Sequence, residues 1–232
     1  MQRDQDLALL REFTANPSLI KHMLSVEAAL RAYARRLGQD EELWGRVGLL
    51  HDFDYERWPA LTDHTVRGGE ILAERGYPAE VIRAIHAHNH GNGLNLHPES
   101  PLEKALMACD ELCGFITAVT LVKPSKNLAD VTAESVIKKM KDKAFARQVN
   151  REEIRQGAEA FGVDLKEHIT FVIGALRERA AELGLDGRLL DGGLLDGRLL
   201  NGSLAEAGPA SDPAAGPAEA APSAGAPPAG EA

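Results

Sequence analysis

Apolar residues recur every three or four positions along most of this chain, and this helical period is the feature that most narrows its possible folds. The first long stripe follows the start pair Asn16 and Pro17 and ends at Gly38, as in an amphipathic helix. Comparable stripes predict helices over residues 40–50, 62–76, 78–88, 102–121, 132–147, 150–160 and 164–183. No segment alternates with the period of a strand. The sequence therefore predicts an all-α helical bundle of about eight helices, with one long loop from Gly91 to Glu99.

The composition changes at Leu185. From there to Ala232 the chain has no aromatic residue but nine of the 22 glycines and six of the 12 prolines. Such a segment buries too little apolar surface to offset the entropy of ordering. Its short Asp-Gly repeat is too brief for a packed repeat layer. We therefore expect a folded domain at residues 1–184 and a disordered low-complexity tail at residues 185–232.

The charge distribution limits the partners. The tail carries seven acids and two bases, which leaves −4 of the total net charge of −9 on residues 1–184. A mildly acidic body is not expected to bind a nucleic acid polymer through its backbone, although a small anionic substrate remains compatible. No apolar run is long enough for a membrane span, and the first residues lack a signal-peptide core. The sequence predicts a cytoplasmic protein with Cys109 and Cys113 as reduced core residues.

Imidazole and carboxylate side chains fall on the inward faces of several predicted helices. His22, His51 and His88 each continue an apolar stripe, and Asp110 lies within the most hydrophobic helix. Any one of these histidines alone is best interpreted as a hydrogen-bonded core residue. A buried aspartate is costly unless it is paired or binds a metal. Taken together, these groups indicate a shared cation.

The order His22, then His51-Asp52, then Asp110 resembles the H…HD…D pattern of the HD superfamily of metal-dependent phosphohydrolases, in particular small HDIG-type proteins. The segments HTVRGGEIL, with His64, and AIHAHN, with His88, extend the resemblance. It implies one divalent ion at His22, His51, Asp52 and Asp110, and a second at His64 and His88 with Asp52 bridging both. A single-ion site remains the alternative. The ligand set does not distinguish Fe, Mn, Ni, Co or Zn.

The resemblance further implies hydrolysis of a small phosphate ester, for example a nucleotide, by a metal-activated hydroxide. Asp52 and Asp54 are the expected catalytic residues, with Asp54 a candidate for proton transfer. Lys123 and Lys126 are expected to bind the substrate phosphate, whereas the run Lys138–Lys143 is interpreted as a solvated basic face. His86 and His90 are expected to face solvent or to support the ligands.

Two other functions stay open at this point. Some HD-fold proteins act as di-iron oxygenases with the same metal ligands, which is the first alternative. The second is a metal-containing module that senses a nucleotide without catalysis. The sequence HDFDYER lacks the lysine and the GYP signature of phosphodiesterases that cleave cyclic dinucleotides, so that activity is not expected.

Overall fold

The computed structural model describes residues 3–188, and within that range the predicted all-α fold is confirmed. The described part contains helices, turns and a single isolated bridge between Asn127 and Asp186. The helices are α1 (Arg3–Phe13), α2 (Pro17–Leu37), α3 (Glu41–Leu50), α4 (Val66–Glu74), α5 (Ala79–His88), α6 (Pro101–Leu121), a 3-10 turn (Leu128–Asp130), α7 (Ala133–Met140), α8 (Arg151–Phe161), α9 (Leu165–Glu178) and α10 (Ala180–Leu183).

Helices α2 and α6 form the centre of the bundle. Each is 21 residues long, and they pack against each other and between them contact α3, α5, α7, α8 and α9. Helices α2 and α3 approach closely, because a side chain on Gly48 would lie 2.8 Å from the backbone of Glu27. This close approach brings the chain that follows α3 next to the inward face of α2.

Four helix boundaries differ from the sequence predictions. Helix α1 was not predicted. Helix α4 begins at Val66 rather than at Thr62 or Asp63, and the predicted helix 132–147 ends at Met140. The predicted helix 164–183 is divided at Arg179 into α9 and α10. At α4 a distant side chain takes backbone hydrogen bonds that a longer helix would use, as described below.

Helix α1 braces the turn that follows α3. The hydroxyl of Thr14, at the end of α1, donates to the carbonyl of Phe53 at 2.8 Å. Glu56 accepts hydrogen bonds from the backbone of Ala15 and Asn16, at 2.9 and 2.8 Å. The segment that follows α1 therefore holds the turn at residues 51–57 at two points. This matters because the turn carries His51 and Asp52.

Packing continues a few residues beyond the predicted boundary at 184. Leu185 is buried, and its carbonyl accepts a hydrogen bond from the backbone N–H of Leu128 at 2.8 Å. The rest of the predicted tail, residues 189–232, lies outside the described residues. No helix in the described part is long and apolar enough to cross a membrane. Cys109 and Cys113 are free and buried, as expected.

Candidate metal centre

Six histidine and aspartate side chains from five elements converge at the centre of the bundle. His22 lies on α2, the pair His51-Asp52 follows α3, and Asp110 lies on α6. His64 lies in the turn before α4, and His88 is the last residue of α5. The structure thus brings together all six residues that the sequence analysis selected as ligands.

The six side chains divide into two groups that meet at Asp52. On one side, Asp52 Oδ2 lies 3.5 Å from His51 Nε2 and 3.8 Å from His22 Nε2. On the other side, Asp52 Oδ1 lies 3.2 Å from His64 Nε2 and 3.3 Å from His88 Nε2. The three-residue sets His22-His51-Asp52 and Asp52-His64-His88 are each close enough to hold a metal ion. One carboxylate therefore faces both sets, with one oxygen toward each.

Asp110 completes the first group. Its Oδ1 lies 2.9 Å from His22 Nε2 and 3.4 Å from His51 Nε2. Asp110 is therefore within reach of the same cation as His22 and His51. The two histidine Nε2 atoms are themselves only 3.2 Å apart.

The rings are oriented in the way that metal-binding histidines require. Nδ1 of His51 donates to the carbonyl of Gly48 at 2.9 Å, and Nδ1 of His88 donates to the carbonyl of Ile85 at 2.6 Å. His64 Nδ1 donates to Asp54 Oδ1 at 2.9 Å. These bonds leave Nε2 as the free nitrogen in each ring, facing the carboxylates. The donor set therefore fits divalent cations of the borderline class.

Without a cation, protons would have to balance the buried carboxylates. Burial disfavours the charged form of His51, but the charges of Asp52 and Asp110 outweigh it and raise its pKa to about 9. Burial likewise opposes ionisation of His64, yet hydrogen bonds to Asp52 and Asp54 raise its pKa to about 10. Asp52 and Asp110 have pKa values well below the usual range despite burial, because of these histidines. The centre thus has a strong demand for positive charge.

Asp54 holds the second group in place and does not face the space between the groups. It is fully buried. Its Oδ1 accepts from His64, and its Oδ2 accepts from the backbone N–H groups of Thr65 and Gly68, at 2.8 and 2.9 Å. These bonds cap α4 from a distance, which explains why the helix begins later than predicted. The expected role of Asp54 in proton transfer stays a prediction; its contacts favour a role in orienting His64.

A strained backbone supports the same histidine. Thr65 is buried and has a φ of 68°, a region that β-branched residues rarely adopt. The side chain of Asn92 donates to the Thr65 hydroxyl at 2.9 Å, and Asn89 donates to the His64 carbonyl at 3.0 Å. Sequence reasoning did not select these three residues, since a lone Thr or Asn between helices carries no signal of its own.

The lysines predicted to bind phosphate lie far along α6 from the centre. Asp110 and the end of the helix at Leu121 are 11 residues apart, which corresponds to about 16 Å at 1.5 Å per residue. Lys123 and Lys126 follow that end, beside the contact between Asn127 and Asp186. Their role in substrate binding stays a prediction that their position does not favour.

His86, in the AIHAHN segment, and His90, directly after it, differ in their surroundings. His86 is partly buried against Gly69, where an added side chain would lie 2.3 Å from its ring, and its Nδ1 has no hydrogen-bond partner. His90 is exposed, and its ring lies 6.2 Å from that of His97. Neither belongs to the two candidate metal-binding sets.

Glu111 is a further titratable residue at the edge of the centre. Burial, the charge of Asp110 and more weakly that of Asp52 raise its pKa to about 8, against the hydrogen bond that it accepts from the backbone of Asn150. The bond from Asn150 to Glu111 Oε2 is 3.1 Å long. Glu111 therefore links the centre to the start of α8. The sequence signal for it is its position directly after Asp110.

Comparison with known families agrees with this geometry. Residues 19–114 match the family model of the HD domain. The matched segment begins before His22 and ends after Asp110, so it contains all six converging side chains. Residues 19–114 therefore form an HD domain, the domain of a superfamily of metal-dependent phosphohydrolases.

The similar curated proteins are named Ribonuclease Y. The protein from Oleidesulfovibrio alaskensis is 29% identical over 144 residues, which cover 58% of this chain and 26% of that protein. The one from Desulfotalea psychrophila is 30% identical over 144 residues, with the same coverage. The one from Sulfurovum sp. is 30% identical over 141 residues, again 26% of its length. This chain thus spans about a quarter of the length of these relatives. The similarity covers only part of this chain and only part of each relative.

Proposed function

We propose that the protein hydrolyses the phosphate ester bond of a small substrate, a nucleotide being the first class to test, at a centre of two divalent cations. The observation that carries this proposal is the position of Asp52, whose two oxygens face two separate histidine groups. A bridging carboxylate of this kind places two cations close enough to act on one phosphate. The similarity to proteins named Ribonuclease Y supports phosphate ester chemistry and adds phosphodiesters to the substrates worth testing.

In this proposal His22, His51 and Asp110 hold one cation, His64 and His88 hold the other, and Asp52 contacts both. Two bound cations would supply Lewis acidity toward the phosphoryl oxygens and lower the pKa of a shared water. The protein's contribution is orientation. The backbone carbonyls that fix His51 and His88, and the carboxylate that fixes His64, keep each Nε2 aimed at the centre.

Replacing Asp52 tests the proposal directly. Asp52→Ala removes the one side chain among residues 3–188 that faces both groups, so bound metal should fall below one ion per chain and phosphate release should fall at least 100-fold. Elemental analysis of the purified protein and a phosphate-release screen of nucleotides and phosphodiesters give the two readouts. His90→Ala, which changes an exposed histidine of the next loop, should leave both unchanged.

Three outcomes would count against the proposal. Full phosphate release in Asp52→Ala would show that catalysis does not need the centre. Wild-type protein that binds a single ion at saturation would show that the centre holds one cation and not two. Turnover that requires oxygen, measured by running the screen with and without it, would favour the oxygenase chemistry that the HD fold also allows.

A further inference from the structure

A basic groove lies beside the candidate metal centre, between the end of α7 and the start of α8. Its volume is about 490 Å³, and its lining includes Lys143, Arg147, Asn150 and Arg151. The loop at residues 141–149 forms one wall, and the first turn of α8 forms the other. The sequence analysis interpreted the nearby lysines as a solvated face, so this groove has no role in the function described so far.

Arg151 gives the loop its shape. Its guanidinium donates to the carbonyls of Ala146 and Val149, at 2.8 and 2.7 Å, and also to that of Phe145. The same group lies over the ring of Phe115 on α6, 5.2 Å from the ring centre. These bonds fix the course of the loop between α7 and α8. The loop therefore has a defined conformation and is attached to α6, the helix that carries Asp110.

The cations on this loop have no partners of their own. Lys143 and Arg147 are exposed and make no ion pair within residues 3–188. The nearby acids are already paired, Asp142 with Lys139 at 3.5 Å and Glu152 with Arg155 at 3.3 Å. The groove thus presents two uncompensated positive charges, the combination that binds a phosphate group.

The groove also lies close to the two histidine groups. The backbone of Asn150, on its lining, donates to Glu111 at 3.1 Å. Glu111 is the sequence neighbour of Asp110, and adjacent Cα atoms are about 3.8 Å apart. The Glu111 side chain therefore separates the centre from the groove. An anion in the groove would therefore have at least the Glu111 side chain between it and a phosphate at the centre, which favours two phosphates that are not directly joined.

We propose that Lys143 and Arg147 bind a second phosphate group of the substrate while the phosphate to be cleaved lies at the centre. The preferred substrate class is then a nucleotide whose two phosphates are separated by a sugar, such as a nucleoside 3′,5′-bisphosphate. This inference rests on the proposed function, because it assigns the first phosphate to the centre.

The test compares adenosine 3′,5′-bisphosphate with adenosine 5′-monophosphate on the full chain. In the metal-loaded protein, the double variant K143A/R147A should raise the KM for the bisphosphate at least tenfold, since each charge-assisted contact contributes about a factor of ten. Its kcat, and its KM for the monophosphate, should not change. The matched control is R11A/K138A, which removes the same charge from exposed positions on α1 and α7 outside the groove and should leave the KM for both compounds unchanged. K123A/K126A is tested beside it, because the loop after α6 is the other predicted binding place for a phosphate.

Binding is measured separately so that the two proposals can fail independently. In the chelator-treated protein, the bisphosphate should shift the amide NMR signals of residues 143–152, and K143A/R147A should weaken that binding at least tenfold. Such binding without hydrolysis of either compound would support the groove and refute the proposed function. Hydrolysis of the bisphosphate with an unchanged KM in K143A/R147A would refute the proposed role of the groove. A raised KM for the bisphosphate in K123A/K126A instead would also refute it.

Discussion

At the scale of single residues, the second histidine group depends on one buried carboxylate. Asp54 accepts three hydrogen bonds, one from the His64 ring and two from the backbone at the start of α4. One of these two backbone groups is the N–H of Thr65, whose strained conformation is held by its bond to Asp54 Oδ2. Strain of this kind persists only where the surrounding contacts overdetermine it, and it concentrates at functional sites.

Asp54→Asn should release one cation and leave the other. The amide would turn an N–H toward His64 Nδ1, or give up its backbone bonds to avoid doing so, and His64 would lose its orientation. Losing such a supporting contact lowers metal affinity by about 10- to 100-fold. Metal titration followed by elemental analysis should therefore show one tight and one weak ion. Asp63→Asn, next to His64 but without a hydrogen bond from its side chain, is the control; two tight ions in Asp54→Asn would contradict the role.

At the scale of helices, α8 lies unusually close to α6 through Gly157. A side chain there would lie 2.8 Å from the Cα of Ala108 and 2.9 Å from the carbonyl oxygen of Met107. Both are backbone atoms, which cannot move aside as a flexible side chain can. The contact fixes the distance between the two helices that carry Asp110 and the basic groove.

Gly157→Ala should destabilise the protein, although alanine is the better helix former. Overpacking against backbone costs about 1–3 kcal/mol, which exceeds or matches the gain of about 1 kcal/mol from helix propensity. The matched control is Gly174→Ala on α9, where nothing lies within 4 Å of the added atom, and it should stabilise by up to about 1 kcal/mol. Chemical denaturation of both variants measures the two free energies of unfolding; equal shifts would show that α6 and α8 can separate.

The sequence predicted the elements that local chemistry specifies and missed those that depend on distant contacts. Asn16 caps α2, which begins at Pro17 as predicted, and α6 begins at Pro101, one residue before the predicted start. The start of α4 depends on Asp54, and the loop that follows α7 is held by Arg151, so neither could be found from local pattern.

The candidate centre was predictable for a related reason. Its six side chains lie in a recognisable order, and four of them continue apolar stripes. The residues that support them were not predictable. Asn89 and Asn92 act through side-chain bonds to His64 and Thr65, which are 25 and 27 residues away in the chain. Such partners become visible only when the helices are assembled.

At the scale of the whole molecule, Glu27 joins the two ends of the described chain. It lies on α2 and is fully buried. Its carboxylate pairs with Arg3 of α1 at 2.6 Å, with Arg31 at 2.9 Å and with Arg179, just before α10, at 3.2 Å. Burial opposes ionisation of Glu27, yet the hydrogen bond from Arg3 and the charge of Arg179 outweigh it and lower its pKa below 4.5.

Glu27→Gln should therefore cost about 3 kcal/mol near neutral pH, because it removes the buried carboxylate that three partly buried guanidinium groups share and leaves them, within residues 3–188, only the exposed carboxylates of Glu42 and Glu182. A lowered pKa contributes stability above the unfolded value, and that contribution disappears as pH falls through the folded value. The difference between wild type and variant should accordingly shrink below pH 4.5. Urea unfolding across pH measures it. Glu42→Gln, which removes the exposed partner of Arg31, should cost about 1 kcal/mol or less; a pH-independent difference for Glu27→Gln would refute the charge argument.

The shared position of Asp52 has a consequence for how the protein would fill with metal. Because one carboxylate faces both histidine groups, the two groups would not bind ions independently. Thermodynamic linkage requires the coupling to be mutual, so an ion at either group changes the affinity of the other by the same factor. A binding isotherm for the metal should then depart from that of two equal, separate sites. The size of this departure measures the coupling free energy that Asp52 causes between the two sites.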